Sequence, residues 1–122
     1  KVIDMQIKKT GKLFSFCCMA PVIISKKNKY LSSFNKLGSD IGLLFQISDD
    51  LIDYKGNTKK VGKKTKKDIK KGKATLISLL GYKNTIKYRD KIKLNIFKKI
   101  SKFGKKAGDL RNTVNFILER SK

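Results

Sequence analysis

Three aspartates, Asp49, Asp50 and Asp53, fall within five residues in a chain that has 9 acidic residues against 31 Lys and Arg. The residues ahead of them, Ile41, Leu43, Leu44, Phe45 and Ile47, are apolar. The segment Phe45-Gln46-Ile47-Ser48-Asp49-Asp50-Leu51-Ile52-Asp53 therefore reads as a buried helix. On a helix Asp49 and Asp53 are i and i+4 and share a face, with Asp50 one residue round and Gln46 one turn back. Carboxylates clustered on an apolar helix repel one another, and a bound cation removes that repulsion. Oxygen-only ligands select a hard ion such as Mg²⁺, which keeps several waters and reaches out to substrate phosphates. The plainer account of the same residues is a polar patch at a helix end, answering nearby lysines.

The helix that carries them is predicted to run from about Tyr30 to Tyr54. Tyr30, Leu31, Phe34, Leu37, Ile41, Leu44 and Phe45 follow three- and four-residue steps along it. Gly38 and Gly42 are four apart, a small-residue pair that lets a neighbouring helix approach closely. The aspartates come at the C-terminal end of this predicted helix, where the peptide dipoles already place partial negative charge. Such a breach of good helix chemistry is expected at a functional site.

Before it, residues 1–25 read as a helix with Val2, Ile3, Met5, Leu13, Phe14, Phe16, Cys17 and Met19 as its apolar positions. Pro21 is expected to kink or end that helix. Gly11, in its interior, costs about 1 kcal/mol relative to Ala. It marks either a close backbone approach or a plain weak spot. Residues 26–29 form a polar turn. After the aspartates, Lys55-Gly56-Asn57-Thr58 reads as a turn opening a basic loop that runs to Gly72. That loop is either a linker or a flap that closes on an anion. A short helix follows from Ala74 to Leu80, with Thr75 as a candidate cap and Gly81 as its end. Asn84 to Lys102 is a third amphipathic helix, and Gly104 and Gly108 mark a break. Asp109 is expected to cap a last helix, Leu110 to Glu119. No period-two segment or internal repeat stands out, so the fold class is all-α.

The net charge of +22 attracts polyanions. Only three basic residues are arginine (Arg89, Arg111 and Arg120), whereas base readout and phosphate forks favour Arg. Together with the Ile and Asn content, the lysine excess is the signature of AT-rich codons, and a solvated basic surface is favoured over a nucleic-acid site. Cys17 and Cys18 are adjacent, a geometry too strained for a mutual disulfide. No His is present to complete a zinc site, so core packing is the expected use of both cysteines. No apolar run approaches the roughly 20 residues needed to cross a membrane. No secretory leader is visible, so secretion has no support; a cytoplasmic location is expected, with a plastid-like or endosymbiont compartment as the alternative, and a chain that opens at Lys1 reads as the tail of a longer protein.

The aspartate segment resembles the second aspartate-rich motif, F-Q-x-x-D-D-x-x-D, of the trans-isoprenyl diphosphate synthases, also called polyprenyl synthetases. Lys9-Thr10-Gly11 resembles the K-T-G that precedes those aspartates by about forty residues. Gly62-Lys63, Asp68 and Gly72-Lys73 with Thr75 match G-K-x(4)-D-x(3)-G-K-x-T after them, and Phe116-Ile117-Leu118-Glu119-Arg120-Ser121-Lys122 is similar to a bacterial-type C-terminus of the family. Many members have Gly where Lys66 stands. Order and spacing agree over nearly the whole chain, which resembles the C-terminal portion, about two fifths, of a full enzyme. The first aspartate-rich motif and the arginines that follow it belong upstream.

The resemblance implies the C-terminal helices of the isoprenoid synthase bundle, incomplete as given, with residues 1–122 as part of a single domain. It implies a Mg²⁺-dependent, short-chain prenyltransferase that joins an allylic diphosphate to isopentenyl diphosphate, acting as a homodimer. Three Mg²⁺ ions would serve the complete enzyme, one of them held by this half. Asp49, Asp50 and Asp53 would be metal ligands, Asp50 and Asp53 directly or through metal-bound waters. Lys9, Lys63 and Lys73 would contact the diphosphate. Thr10 and Gln46 would line the site near the carbocation, and Asp68 would support the loop. No catalysis is expected of the 122 residues alone. A lysine-rich nucleic-acid-binding module is the competing reading, but it gives no reason for three acids on an apolar helix, and no nucleic acid is expected as partner.

Overall fold

The computed structural model describes Asp4, residues 7–61 and residues 75–120. Among the described residues every regular element is helical, as expected of an all-α chain. A π-helical turn, Ile7–Gly11, leads into α1, Lys12–Ile24. A 3₁₀ turn, Asn28–Tyr30, precedes the long α2, Leu31–Val61. Beyond residue 74 come α3, Leu76–Leu80, α4, Tyr82–Ser101, a 3₁₀ turn Gly104–Ala107, and α5, Gly108–Glu119. The core follows the apolar stripe of α2: Leu37, Ile41, Leu44, Ile47 and Leu51 are buried against Leu76, Ile92, Ile96, Ile100, Val114, Ile117 and Leu118. Among the described residues no helix is long and apolar enough to cross a membrane.

α1 and α2 form an antiparallel pair, and glycines set how closely they approach. A Cβ on Gly38 would stand 2.5 Å from Phe14 O and Ser15 Cα, and one on Gly42 would stand 2.6 Å from Gly11 Cα. The small-residue pair thus serves close packing, and Gly11 is one side of a backbone contact. The buried Ser15 continues the seam, donating to Asn35 O at 3.1 Å and sharing a 2.7 Å hydrogen bond with Ser39. Further along, Asp40 on α2 forms an ion pair with Lys99 on α4.

Several boundaries differ from the sequence reading. Pro21 does not end α1, which continues to Ile24. A proline that close to a helix end disturbs little beyond it, and a Schellman pattern stops the helix instead. Lys27 N–H donates to Val22 O and Lys26 N–H to Ile23 O, with Lys26 in the left-handed region at φ 55°. The turn expected at Lys55-Gly56-Asn57-Thr58 is helix: α2 continues to Val61. Lysine is a good helix former, Leu51 is buried, and Tyr54 stacks on Tyr82 with ring centroids 5.3 Å apart, so α2 is held past the predicted stop. Asp109 is not the cap of α5. The chain enters that helix from the 3₁₀ turn through Ala107, which places Asp109 inside the first helical turn. Thr75 does cap α3, in a reciprocal capping box with Ser78, and Gly81, at φ 76°, ends it.

Of the cysteines, both expected in the core, Cys17 is not there and Cys18 packs against its edge. Cys17 is exposed and Cys18 half-buried, both free; burial, and then the neighbouring Cys17, pushes the Cys18 thiol above its usual range. Leu13 and Phe16 are likewise 65% and 61% exposed. α1 buries Ser15 and Val22 instead, because the tight crossing on α2 favours its small-residue face. Val2, Ile3 and Met5 lie outside the residues whose side chains are described.

Candidate functional site

The glycine-mediated crossing fixes what stands opposite what near the start of the described chain. Gly11 against Gly42 puts Thr10 across from Gln46, one helical turn further along α2. Thr10 Oγ1 donates to Gln46 Oε1 at 3.1 Å, and Gln46 Nε2 donates to Asp50 Oδ1 at 3.2 Å. A relay of hydrogen bonds therefore joins the Lys9-Thr10-Gly11 segment to the aspartates, and the buried Gln46 is its middle link. Lys9 itself lies in the π-helical turn.

Asp49 points to a different neighbour. Its Oδ1 accepts a 3.0 Å hydrogen bond from Arg120 Nη2, just past the end of α5. The guanidinium also lies over the Phe45 ring, 5.0 Å from its centroid. Phe45 in turn meets Phe14 of α1 at 5.5 Å. Phe45 is one turn before Asp49, so one face of α2 presents an aromatic ring and a carboxylate to the same cation. Asp49 and Asp50 are half-buried and Asp53 is exposed. Ser48, beside them, is 1% exposed, and its Oγ has no hydrogen-bond partner among the described residues.

Among the described residues no three acidic or cysteine side chains converge as a preformed metal cage. The donor chemistry still fits a hard cation: all the nearby ligands are oxygens, and Asp49 already holds a positive group. Mg²⁺ needs only one or two carboxylates, because it retains its waters. Lys63, Asp68 and Lys73 lie outside the described residues. Sequence reasoning missed the approach of Arg120 to Asp49. The two are 71 residues apart, and no local periodicity encodes such a contact.

The sequence profile of a family described as polyprenyl synthetase matches residues 1–115. The chain is similar to a farnesyl diphosphate synthase of Micrococcus luteus, 27% identical over 119 residues, which are 97% of this chain and 41% of that protein. It is also similar to a geranylgeranyl diphosphate synthase of Cyanophora paradoxa, 32% identical over 118 residues, 96% of this chain and 39% of that protein. A dimethylallyltranstransferase of Fischerella ambigua is 30% identical over 114 residues, 93% of this chain and 33% of that protein. The chain thus spans about two fifths or less of the length of these relatives. No solved structure matches it.

Proposed function

The chain belongs to the polyprenyl synthetase family, and from that premise we propose that the protein is a short-chain trans-prenyltransferase. It would condense an allylic diphosphate with isopentenyl diphosphate and release diphosphate. The observation that carries this reading is the relay Thr10–Gln46–Asp50, which ties two separate motifs into one polar strip beside Asp49.

In the proposed reaction the allylic C–O bond breaks, and diphosphate leaves with the electron pair. The double bond of isopentenyl diphosphate then attacks the resulting carbocation, and a proton departs to restore an alkene. Ionisation is the hard step, so charge building on the leaving oxygens must be met by groups already in place. Asp49, Asp50 and Asp53 would hold Mg²⁺, which when bound supplies Lewis-acid neutralisation of the diphosphate. Lys9, Lys63 and Lys73 add compact point charges suited to phosphate. Asp68 would have a supporting role beside Lys63 and Lys73 by resemblance to the family motif. Thr10 Oγ1 donates to Gln46 Oε1, so the hydroxyl keeps its lone pairs and the amide oxygen keeps one, and these would stabilise the cation that forms. Their hydrogen bonding fixes them before reaction, so no reorganisation is needed as charge develops. A homodimer and a cytoplasmic location go with this reading.

The test is Asp49→Ala in the full-length protein, assayed by incorporation of labelled isopentenyl diphosphate. Losing a group that organises transition-state charge costs roughly 10²–10³ in turnover. Turnover equal to wild type in that variant would eliminate the metal role.

A further inference from the structure

We propose that Arg120 is the resident counter-ion of Asp49 and that a divalent cation must displace it, so that the end of the last helix sets the metal affinity of the site. The proposal rests on the metal reading of Asp49 given above. It concerns a residue in the segment Phe116–Lys122, which follows the profile match to residues 1–115.

Three observations carry it. Arg120 is placed by the fold rather than by a loose tail. Its backbone N–H donates to Phe116 O at 3.2 Å, closing the last turn of α5, and Val114, Ile117 and Leu118 anchor that helix in the core. Its guanidinium has two partners on one face of α2: Asp49 Oδ1 at 3.0 Å and the Phe45 ring at 5.0 Å. A planar, weakly hydrated cation suits both at once. Finally, Asp49 has Asp50 beside it and Asp53 one turn on, and Arg120 offsets part of the negative charge that these residues bring to one stretch of α2.

The same contact opposes metal entry. A divalent ion on Asp49 would compete for the lone pairs that Arg120 engages and would repel the guanidinium at short range. The Asp49 and Arg120 side chains are 37% and 36% exposed, so the pair is screened and the competition modest. A site held this way opens only when metal arrives at sufficient concentration.

The experiment titrates Mn²⁺ alone into the full chain at low ionic strength, followed by electron paramagnetic resonance, for wild type, Arg120→Gln, Arg120→Lys and Asp49→Asn. Circular dichroism checks that each variant retains its helix content. Arg120→Gln is expected to bind Mn²⁺ about three- to fivefold more tightly than wild type, the scale of a partly exposed ion pair. Arg120→Lys, which keeps the charge but loses the planar fork, should fall between them. The advantage of Arg120→Gln should shrink as NaCl is raised. Affinity in Arg120→Gln equal to or weaker than wild type, with Asp49→Asn weakened, overturns the proposal and leaves the metal reading standing. Wild-type affinity in Asp49→Asn removes the metal reading itself, and this inference with it.

Discussion

Gln46 has both ends of its carboxamide occupied, the oxygen by Thr10 and the nitrogen by Asp50. A buried amide held from both sides has one orientation, and it fixes the carboxylate and hydroxyl that flank it. Gln46→Leu strips both neighbours at once and should destabilise the chain by about 1–3 kcal/mol. Thr10→Val should cost less, and a double-mutant cycle on the two should give a coupling of about 0.5–1.5 kcal/mol. Urea denaturation of the four proteins measures it. A coupling indistinguishable from zero would mean that the relay holds nothing in solution.

The elements place that relay through backbone contact. Where α1 crosses α2, the space beside Gly42 is filled by Gly11. Gly42→Ala gains about 1 kcal/mol of helix propensity, but the backbone it strikes cannot yield as a flexible side chain can. Overpacking costs typically about 1–3 kcal/mol, so a net loss of stability is expected. Gly56 lies on the same helix, and among the described residues a methyl group added there would meet nothing within 4 Å. Gly56→Ala should therefore stabilise by about 0.5–1 kcal/mol. Opposite shifts in the thermal midpoints of these two variants check the account. Two downward shifts would mean that helix propensity is not what limits residue 56. The extension of α2 to Val61 also removes an electrostatic puzzle. The aspartates sit more than a turn inside the helix, beyond the reach of the negative charge at its C-terminal end.

At the scale of the whole molecule, charge dominates. A net charge of +22 binds polyanions by releasing their counterions, whatever the sequence bound. DNA binding by this chain is therefore expected to fall steeply and linearly in log–log salt titrations and to show no sequence preference. Fluorescence anisotropy with several unrelated duplexes tests this. A preferred sequence or a defined site size would favour a nucleic-acid module over the proposed enzyme. Exposed Leu13, Phe16, Ile23 and Ile24 on α1 leave apolar surface open in a chain that spans about two fifths of relatives such as the Micrococcus luteus protein.

The chain's own letters were enough for the all-helical class and for the inward stripe of α2, because helical period is a local quantity. They were also enough to mark Gly38 and Gly42 as places of close approach and Thr75 as a cap. They misplaced the end of α2, the cap of α5 and the burial of Cys17, because helix ends and exposed faces depend on what packs nearby. Tertiary structure alone decided that Gln46 bridges Thr10 and Asp50 and that Arg120 comes to rest on Asp49 and Phe45. The Thr10–Gln46 and Asp49–Arg120 contacts join residues 36 and 71 positions apart. They exist because the small-residue crossing and the buried face of α5 bring the helices together, and no stretch of sequence near either partner contains that information.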